Sequence, residues 1–297
     1  MRQAPIVVVG DVINDIIVRP HGPIAAGTDT SSEIERSPGG SGANQAAWLA
    51  ALHNPVRFVG RAGAADVAYH RAELERLGVE TWLAADEDRA TGTIVVLVDA
   101  DGERSMFTDR GANAALGPDD LPACVLDASL LLHVSGYQFF EPTTRAAVRG
   151  LWAKAQKAGI PSSVDPASLA GLKQVGREPF LAWTAGAQFV FPNLDEARLL
   201  TDQEEPEAMV ARLLENYAVV ALKLGPAGAL VASLDGLRVH VDAAPVHSLD
   251  STGAGDAFCA GFLSCWAAGG DLESCALDAV SVAAKAVGQL GARPRTA

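Results

Sequence analysis

The run Asp250-Ser251-Thr252-Gly253-Ala254-Gly255-Asp256 carries the strongest chemical signal in this chain. It opens a stretch that is apolar on every side down to Trp266, the pattern of a buried helix. Glycines at alternate positions let backbone N–H groups approach an anion closely, and the helix dipole adds favourable partial positive charge at the same place. A carboxylate at the mouth of such an anion hole, here Asp256, repels a phosphate unless it acts on the group attacking that phosphate. General base catalysis is such an action: Asp256 would take the proton of an incoming hydroxyl while the amides of Gly253, Ala254 and Gly255 stabilise charge on a transferring phosphoryl group. Simple capping of the helix by Asp256 is the alternative reading.

A second glycine cluster, Gly39-Gly40-Ser41-Gly42-Ala43-Asn44-Gln45-Ala46, also opens a helix. It is neither a Walker A loop nor a dinucleotide fingerprint, because no G-x-x-x-x-G-K-[ST] occurs and Gln45 stands where a third glycine is needed. Its glycines could serve close helix packing alone, or Asn44 beside them could bind a polyol. Asn14 and Asp15 follow the first apolar run, at the edge where open α/β sheets place ligands; Asp15 offers two acceptors to adjacent hydroxyls, or closes a turn. Asn193 and Glu196 stand three apart after another strand-like run, as a capping box or as a phosphate contact and a Mg²⁺ ligand. Lys223 to Gly228 gives a third strand exit with two glycines, Gly225 and Gly228, able to pass beneath a nucleotide or to form a plain hairpin. Asp165 is a further acid at a strand end, facing substrate or closing a turn, and His133 lies inside an apolar strand as a satisfied core residue.

The elements that must hold these residues read as an α/β protein. Apolar runs at 6–10, 56–60, 130–134, 161–164, 188–191 and 219–224 alternate with helix-period segments at 43–52, 66–77, 142–159 and 206–216, the pattern of a parallel sheet covered by helices. Antiparallel strands are expected at 229–233 and 237–241. Strands at 93–98 and 103–108 flank a tight turn at 99–102, a hairpin that, with the polar segment 19–38, reads as a β flap on the larger body. The chain has 297 residues, 49% of them apolar, which excludes disorder and collagen-like structure. Its 23 Lys and Arg against 36 Asp and Glu give a formal charge of −13, so no global field draws nucleic acid or an anionic membrane. No apolar stretch approaches the roughly 18 residues of a spanning helix, and the expected compartment is the cytoplasm. Cys124, Cys259, Cys265 and Cys275 form no C-x-x-C pair and read as reduced core residues.

Taken together and in order, these motifs make the sequence similar, over essentially its whole length, to the ribokinase-like, or PfkB, family of carbohydrate and nucleoside kinases. D-S-T-G-A-G-D at 250–256 resembles that family's C-terminal signature, G-G-S-G-A-N-Q-A at 39–46 its N-terminal one, and P-N-x-x-E at 192–196 its metal-linked motif. The resemblance implies a three-layer α/β fold: one kinase domain over 1–297 with a mostly parallel central sheet and a β-sheet lid from about 15–38 and 91–110. It implies an ATP-dependent sugar kinase with Asp256 as catalytic base and Gly253, Ala254 and Gly255 as anion hole. Asp15, Gly39, Gly40 and Asn44 would bind the sugar; Asn193, Lys223, Gly225, Gly228 and Gly255 would contact ATP; Glu196 would hold Mg²⁺ through water. Asp250 and Thr252 would belong to a K⁺ site, and the lid could join two copies into a homodimer.

The sequence departs from that pattern at four places. Ser41 stands where ribokinases carry Lys, no acid occurs in 133–137, no Arg follows Asp165 to meet a sugar acid, and Arg295 falls where potassium-dependent members place a small ligand. A nucleoside kinase needs an apolar or aromatic wall for the base, and the lid segments offer only Phe107 as a ring, which favours a sugar. A ligand-sensing protein without catalysis is the rival from another class, opposed by intact Asp256, Gly253 and Gly255.

Overall fold

The computed structural model describes residues 4–99, 104–247 and 249–295. In chain order its strands and helices are β1 (Ile6–Val9), β2 (Ile13–Pro20), β3 (Ser32–Gly39), α1 (Ser41–Ala51), β4 (Val56–Gly63), α2 (Val67–Arg76), β5 (Val79–Asp86), β6 (Thr91–Val98) and β7 (Arg104–Gly111). There follow β8 (Leu131–Ser135), α3 (Pro142–Lys157), β9 (Ser162–Asp165), α4 (Leu169–Val175), α5 (Arg177–Thr184), β10 (Phe189–Val190), α6 (Leu194–Thr201) and α7 (Pro206–Leu213). The chain closes with β11 (Val219–Lys223), β12 (Ala229–Ser233), β13 (Arg238–Val241), α8 (Ala254–Ala267) and α9 (Leu272–Val287).

Nine strands form the central sheet in the order β13-β12-β11-β10-β9-β8-β1-β4-β5. The pairs from β11 to β5 are parallel, and β12 alone is reversed, pairing antiparallel with both β11 and β13. Strand β1 shows why this sheet is covered on both sides: all four of its residues are buried, Ile6 and Val8 in one layer and Val7 and Val9 in the other. The first layer is filled from α1, α8 and α9, and the second from α3 and the helices between β9 and β11. Helix α3 starts with Pro142 as its first residue and is followed by Gly159 at φ +70°, the expected asymmetry of helix ends.

A separate four-stranded sheet has the order β3-β2-β6-β7. Both hairpin pairs in it are antiparallel, and β2 joins β6 in parallel, a link between distant segments that local patterning does not announce. Residues 100–102 of the expected turn at 99–102 lie outside the described residues. Helix α8 is apolar all round because it is the middle of its layer, in contact with α1 on one side and α9 on the other. No helix among the described residues is long and apolar enough to cross a membrane. The cysteines are all free; Cys259 and Cys275 are buried, whereas Cys124 is exposed in a short 3₁₀ turn, a correction to the reading of all four as core.

Candidate active site

Two glycine-rich helix starts face each other across one carboxylate. The first is placed by backbone contact: a β-carbon on Gly42 would lie 2.5 Å from the Cα of Gly10, so α1 begins directly against the end of β1. This brings Ser41 and Asn44 to the sheet edge. The second is the 250–255 loop, where Gly253 adopts φ +77° and a β-carbon on it would sit 2.7 Å from Ala292. Asp256, in the first turn of α8, accepts 2.7 Å from Ser41 Oγ on one carboxylate oxygen and 3.0 Å from Asn44 Nδ2 on the other. Burial pushes the Asp256 carboxyl up to about 7, and the field of Asp165 adds to the rise, while the Ser41 and Asn44 donors and Lys223 act the other way.

Asp256 opens on a cleft of about 420 Å³ between the central sheet and the small one. Asp11, Asp15, Gly40, Asn44, Asp250, Thr252 and Gly253 line the same cleft. Of these, Asp15 is held by burial at about 6, with Arg293 pulling in the opposite direction. Gly39 lies against Asp15, whose carboxylate would have to move to admit a side chain there. Asn14, weighed beside Asp15, turns elsewhere: it donates 3.0 Å to Asp66 and meets His70 at 3.1 Å.

The roof of the cleft follows from strand periodicity. Ile13, Asp15, Ile17 and Arg19 alternate along β2, Ile94, Val96 and Val98 along β6, and Met106, Thr108 and Arg110 along β7, all towards the cleft. Phe107 pairs with Val95 on the opposite face and is 62% exposed, so the ring expected to wall a base is not in the cleft. An aliphatic wall takes its place.

Beneath the 250–255 loop runs a buried polar network. Lys223 donates 3.1 Å to Asp165 Oδ1, and a β-carbon on Gly255 would lie 3.3 Å from its Nζ, so this ammonium stands directly under the second glycine of the loop. Asp165 also accepts from Gln45 Nε2 at 3.2 Å, and Gln45 Oε1 accepts at 3.0 Å from His133 Nε2, the other ring nitrogen of His133 meeting Ser163 at 2.7 Å. Burial lowers His133 to about 4, so it is a neutral core residue as the sequence suggests. Asp165 is thus an ion-pair partner that also caps the Ala167 amide at 3.3 Å.

Asn193 and Glu196 form a reciprocal capping box at the start of α6, with 2.9 Å in each direction. Burial raises Glu196 to about 7, against the pull of Lys223. Asn193 bridges to Lys223 across β10 and β11, so both lie at the same end of the sheet as Asp256, although neither Asn193 nor Glu196 lines the cleft. Gly228, at φ +89°, is packed against Val241, and Gly225, at φ +61°, faces open space. Asp250 accepts from the amides of Thr252 at 2.9 Å and Gly291 at 3.1 Å, tying the loop to the C-terminal segment.

Sequence reasoning missed three participants. Asp11, only 3% exposed, holds Arg110 through two 3.0 Å bonds and accepts from Gln138; Arg110 also donates 2.9 Å to the Tyr137 carbonyl. The signal was its place on the first strand exit, four residues before Asp15. Ser41, read as a lost phosphate contact, donates to Asp256. Arg293, not the exposed Arg295, is the C-terminal cation that reaches the site.

A sequence profile described as the pfkB family of carbohydrate kinases matches residues 3–296. The chain belongs to the PfkB family. Among curated relatives, an ATP-dependent ribose-1-phosphate kinase of Halopiger xanaduensis is 33% identical over 274 residues, covering 91% of this chain and 87% of that one. Among solved structures, a probable sugar kinase of Rhizobium etli superposes with a TM-score of 0.90 at 26% identity, covering 100% and 96% of the two chains. The adenosine kinase of Sinorhizobium meliloti superposes with a TM-score of 0.89 at 26% identity, covering 99% and 97%. This PfkB chain therefore shares with these structures its three-layer arrangement, the mostly parallel central sheet and the small separate sheet.

Proposed function

We propose that this PfkB protein transfers the γ-phosphoryl group of ATP to a hydroxyl of a small sugar, with Asp256 as the general base. The observation that carries this reading is the buried Asp256 carboxylate at the first turn of α8, opening on a cleft that also presents Asp15 and Asn44. An acceptor hydroxyl bound by Asp15, Gly39, Gly40 and Asn44 meets Asp256 as the oxygen that gains a bond to the γ-phosphorus; its proton passes to the carboxylate, and the γ-phosphorus bond to the bridging oxygen breaks, ADP leaving with that oxygen. The amides of Gly253, Ala254 and Gly255, backed by the Lys223 ammonium, face the developing phosphate charge. The small sheet roofs the cleft, and its closure as a lid excludes water from the reacting groups.

The nucleotide lies towards the 223–228 turn and Asn193. Mg²⁺ fits Glu196: the carboxylate is buried at the nucleotide end, one oxygen is held by the Asn193 amide, and Mg²⁺ with nucleotides takes one or two carboxylates and keeps several waters. When bound, it neutralises charge on the transferring phosphate. The relatives' names, a ribose-1-phosphate kinase and an adenosine kinase, support an acceptor that contains a sugar. A nucleoside is the second reading, favoured by the aliphatic wall of Ile17, Ile94, Val96 and Met106, which can cover a base.

A coupled ADP-release screen over pentoses, hexoses, sugar phosphates, sugar acids and nucleosides tests the reading, with the product position assigned by NMR. Release stimulated by a sugar is expected. Release stimulated only by nucleosides would establish the second reading, and ATP binding without any acceptor-dependent release would return the ligand-sensing one.

A further inference from the structure

Arg293 lies behind the substrate cleft, where the C-terminal segment returns across the start of α1. Its Nη2 donates 3.0 Å to the Gly39 carbonyl and its Nε 3.3 Å to Asn44 Oδ1. The segment itself is pinned: Trp48 Nε1 donates 2.9 Å to the Ala292 carbonyl, and Gln289 donates 2.7 Å to that of Arg293. Asn44 in turn donates to Asp256. A guanidinium only donates hydrogen bonds, and an ionised carboxylate only accepts them. An amide between the two has one compatible orientation, carbonyl towards Arg293 and NH₂ towards Asp256; the flipped amide opposes donor to donor and acceptor to acceptor.

We propose that Arg293 is a positioning residue for phosphoryl transfer: it fixes the Asn44 amide so that Asn44 donates to the ionised Asp256. The inference rests on the reading of Asp256 as the base. Without Arg293, the amide is free to turn its carbonyl towards Asp256, which favours the protonated, inactive carboxyl. Burial of the guanidinium, which lowers Arg293 to about 10, agrees with a cation held for its donors inside the protein, with Asp15, Glu73 and Tyr69 as its electrostatic counterparts. The other groups that act on Asp256 are Ser41 from α1, Asp165 and Lys223 from β9 and β11, Cys259 on its own helix and Tyr137 after β8. Arg293 hydrogen-bonds Asn44 and the Gly39 carbonyl rather than these groups, and the Asn44→Ala background separates the first link from the second.

The test is the pH profile of kcat/KM for wild type, Arg293→Met and Arg293→Lys, each also in an Asn44→Ala background, with thermal unfolding recorded alongside. Arg293→Met is expected to move the acid limb upward by about 0.5–1 pH unit, a fall of roughly three- to tenfold at pH 6, with Arg293→Lys recovering part of the shift. In the Asn44→Ala background the same substitution is expected to leave the limb in place. A limb unmoved by Arg293→Met, or a shift that persists without Asn44 and so acts through Asp15, overturns the inference. If Arg293→Met does not unfold cooperatively, Arg293→Lys carries the same comparison. Asp256→Asn separates the two levels: full turnover in that variant refutes the base, whereas a dead Asp256→Asn beside an unmoved Arg293→Met limb refutes only the positioning role.

Discussion

At the residue scale, the proposed chemistry turns on how the protein treats a single carboxylate. Removing Asp256 from water opposes its charge, and the field of Asp165 does the same; two side-chain donors and the Lys223 ammonium only partly restore it, leaving a carboxyl near 7. A base must be ionised to accept a proton, so activity is lost as pH falls through that value and gained as it rises. The kcat/KM profile of the free enzyme should therefore show an acid limb near pH 7 and a plateau above it. A profile flat from about pH 5.5 to 8.5 would mean that no group of this kind governs turnover. The residue types at 253–256 were legible because glycine spacing and an isolated acid have few uses together. The partners of Asp256 were not, because Ser41 and Asn44 lie 215 and 212 residues away in sequence and meet it only through the fold.

At the scale of elements, two helix starts are positioned by glycines that have room for nothing else. Gly253 combines a left-handed backbone with the wall of Ala292, so Gly253→Ala must shift the loop that presents the proposed anion-hole amides. We expect a fall in kcat of about 10–100-fold by steady-state kinetics; wild-type turnover would show that these amides do not face the phosphate. Strands such as β1, β8 and β11 were readable as short apolar runs, and α3 from its Pro142 and Gly159. Helix α9 was not given bounds, because alanines, Ala276, Ala279 and Ala286, make up half of its buried face and mark no clear stripe. The short α4 and α5 escaped for lack of length. The direction in which Phe107 points needed the register of β6 and β7, since a shift of one residue exchanges the faces of a strand.

At the scale of the whole molecule, the small sheet is fastened to the body at the cleft itself. Arg110 from β7 reaches Asp11 beyond β1, stacks its guanidinium 5.7 Å from the Tyr137 ring, and bonds the Tyr137 carbonyl. Arg110→Met strands a buried acid, and breaking such a pair costs about 3–5 kcal/mol, so the melting temperature should drop by roughly 5–10 °C. Asp11→Asn added to it should recover part of the loss; a single variant as stable as wild type would show that the two sheets are joined elsewhere. The overall acidity of the chain, −13, leaves any phosphate binding to local donors. On the proposed mechanism, phosphoryl transfer depends on Asp256. The most direct measurement is the turnover of Asp256→Asn with the best acceptor from the ADP-release screen, at saturating ATP and Mg²⁺. A loss of about 10²–10⁴-fold in kcat, with substrate binding little changed, is expected; turnover equal to wild type would contradict the assignment of the base.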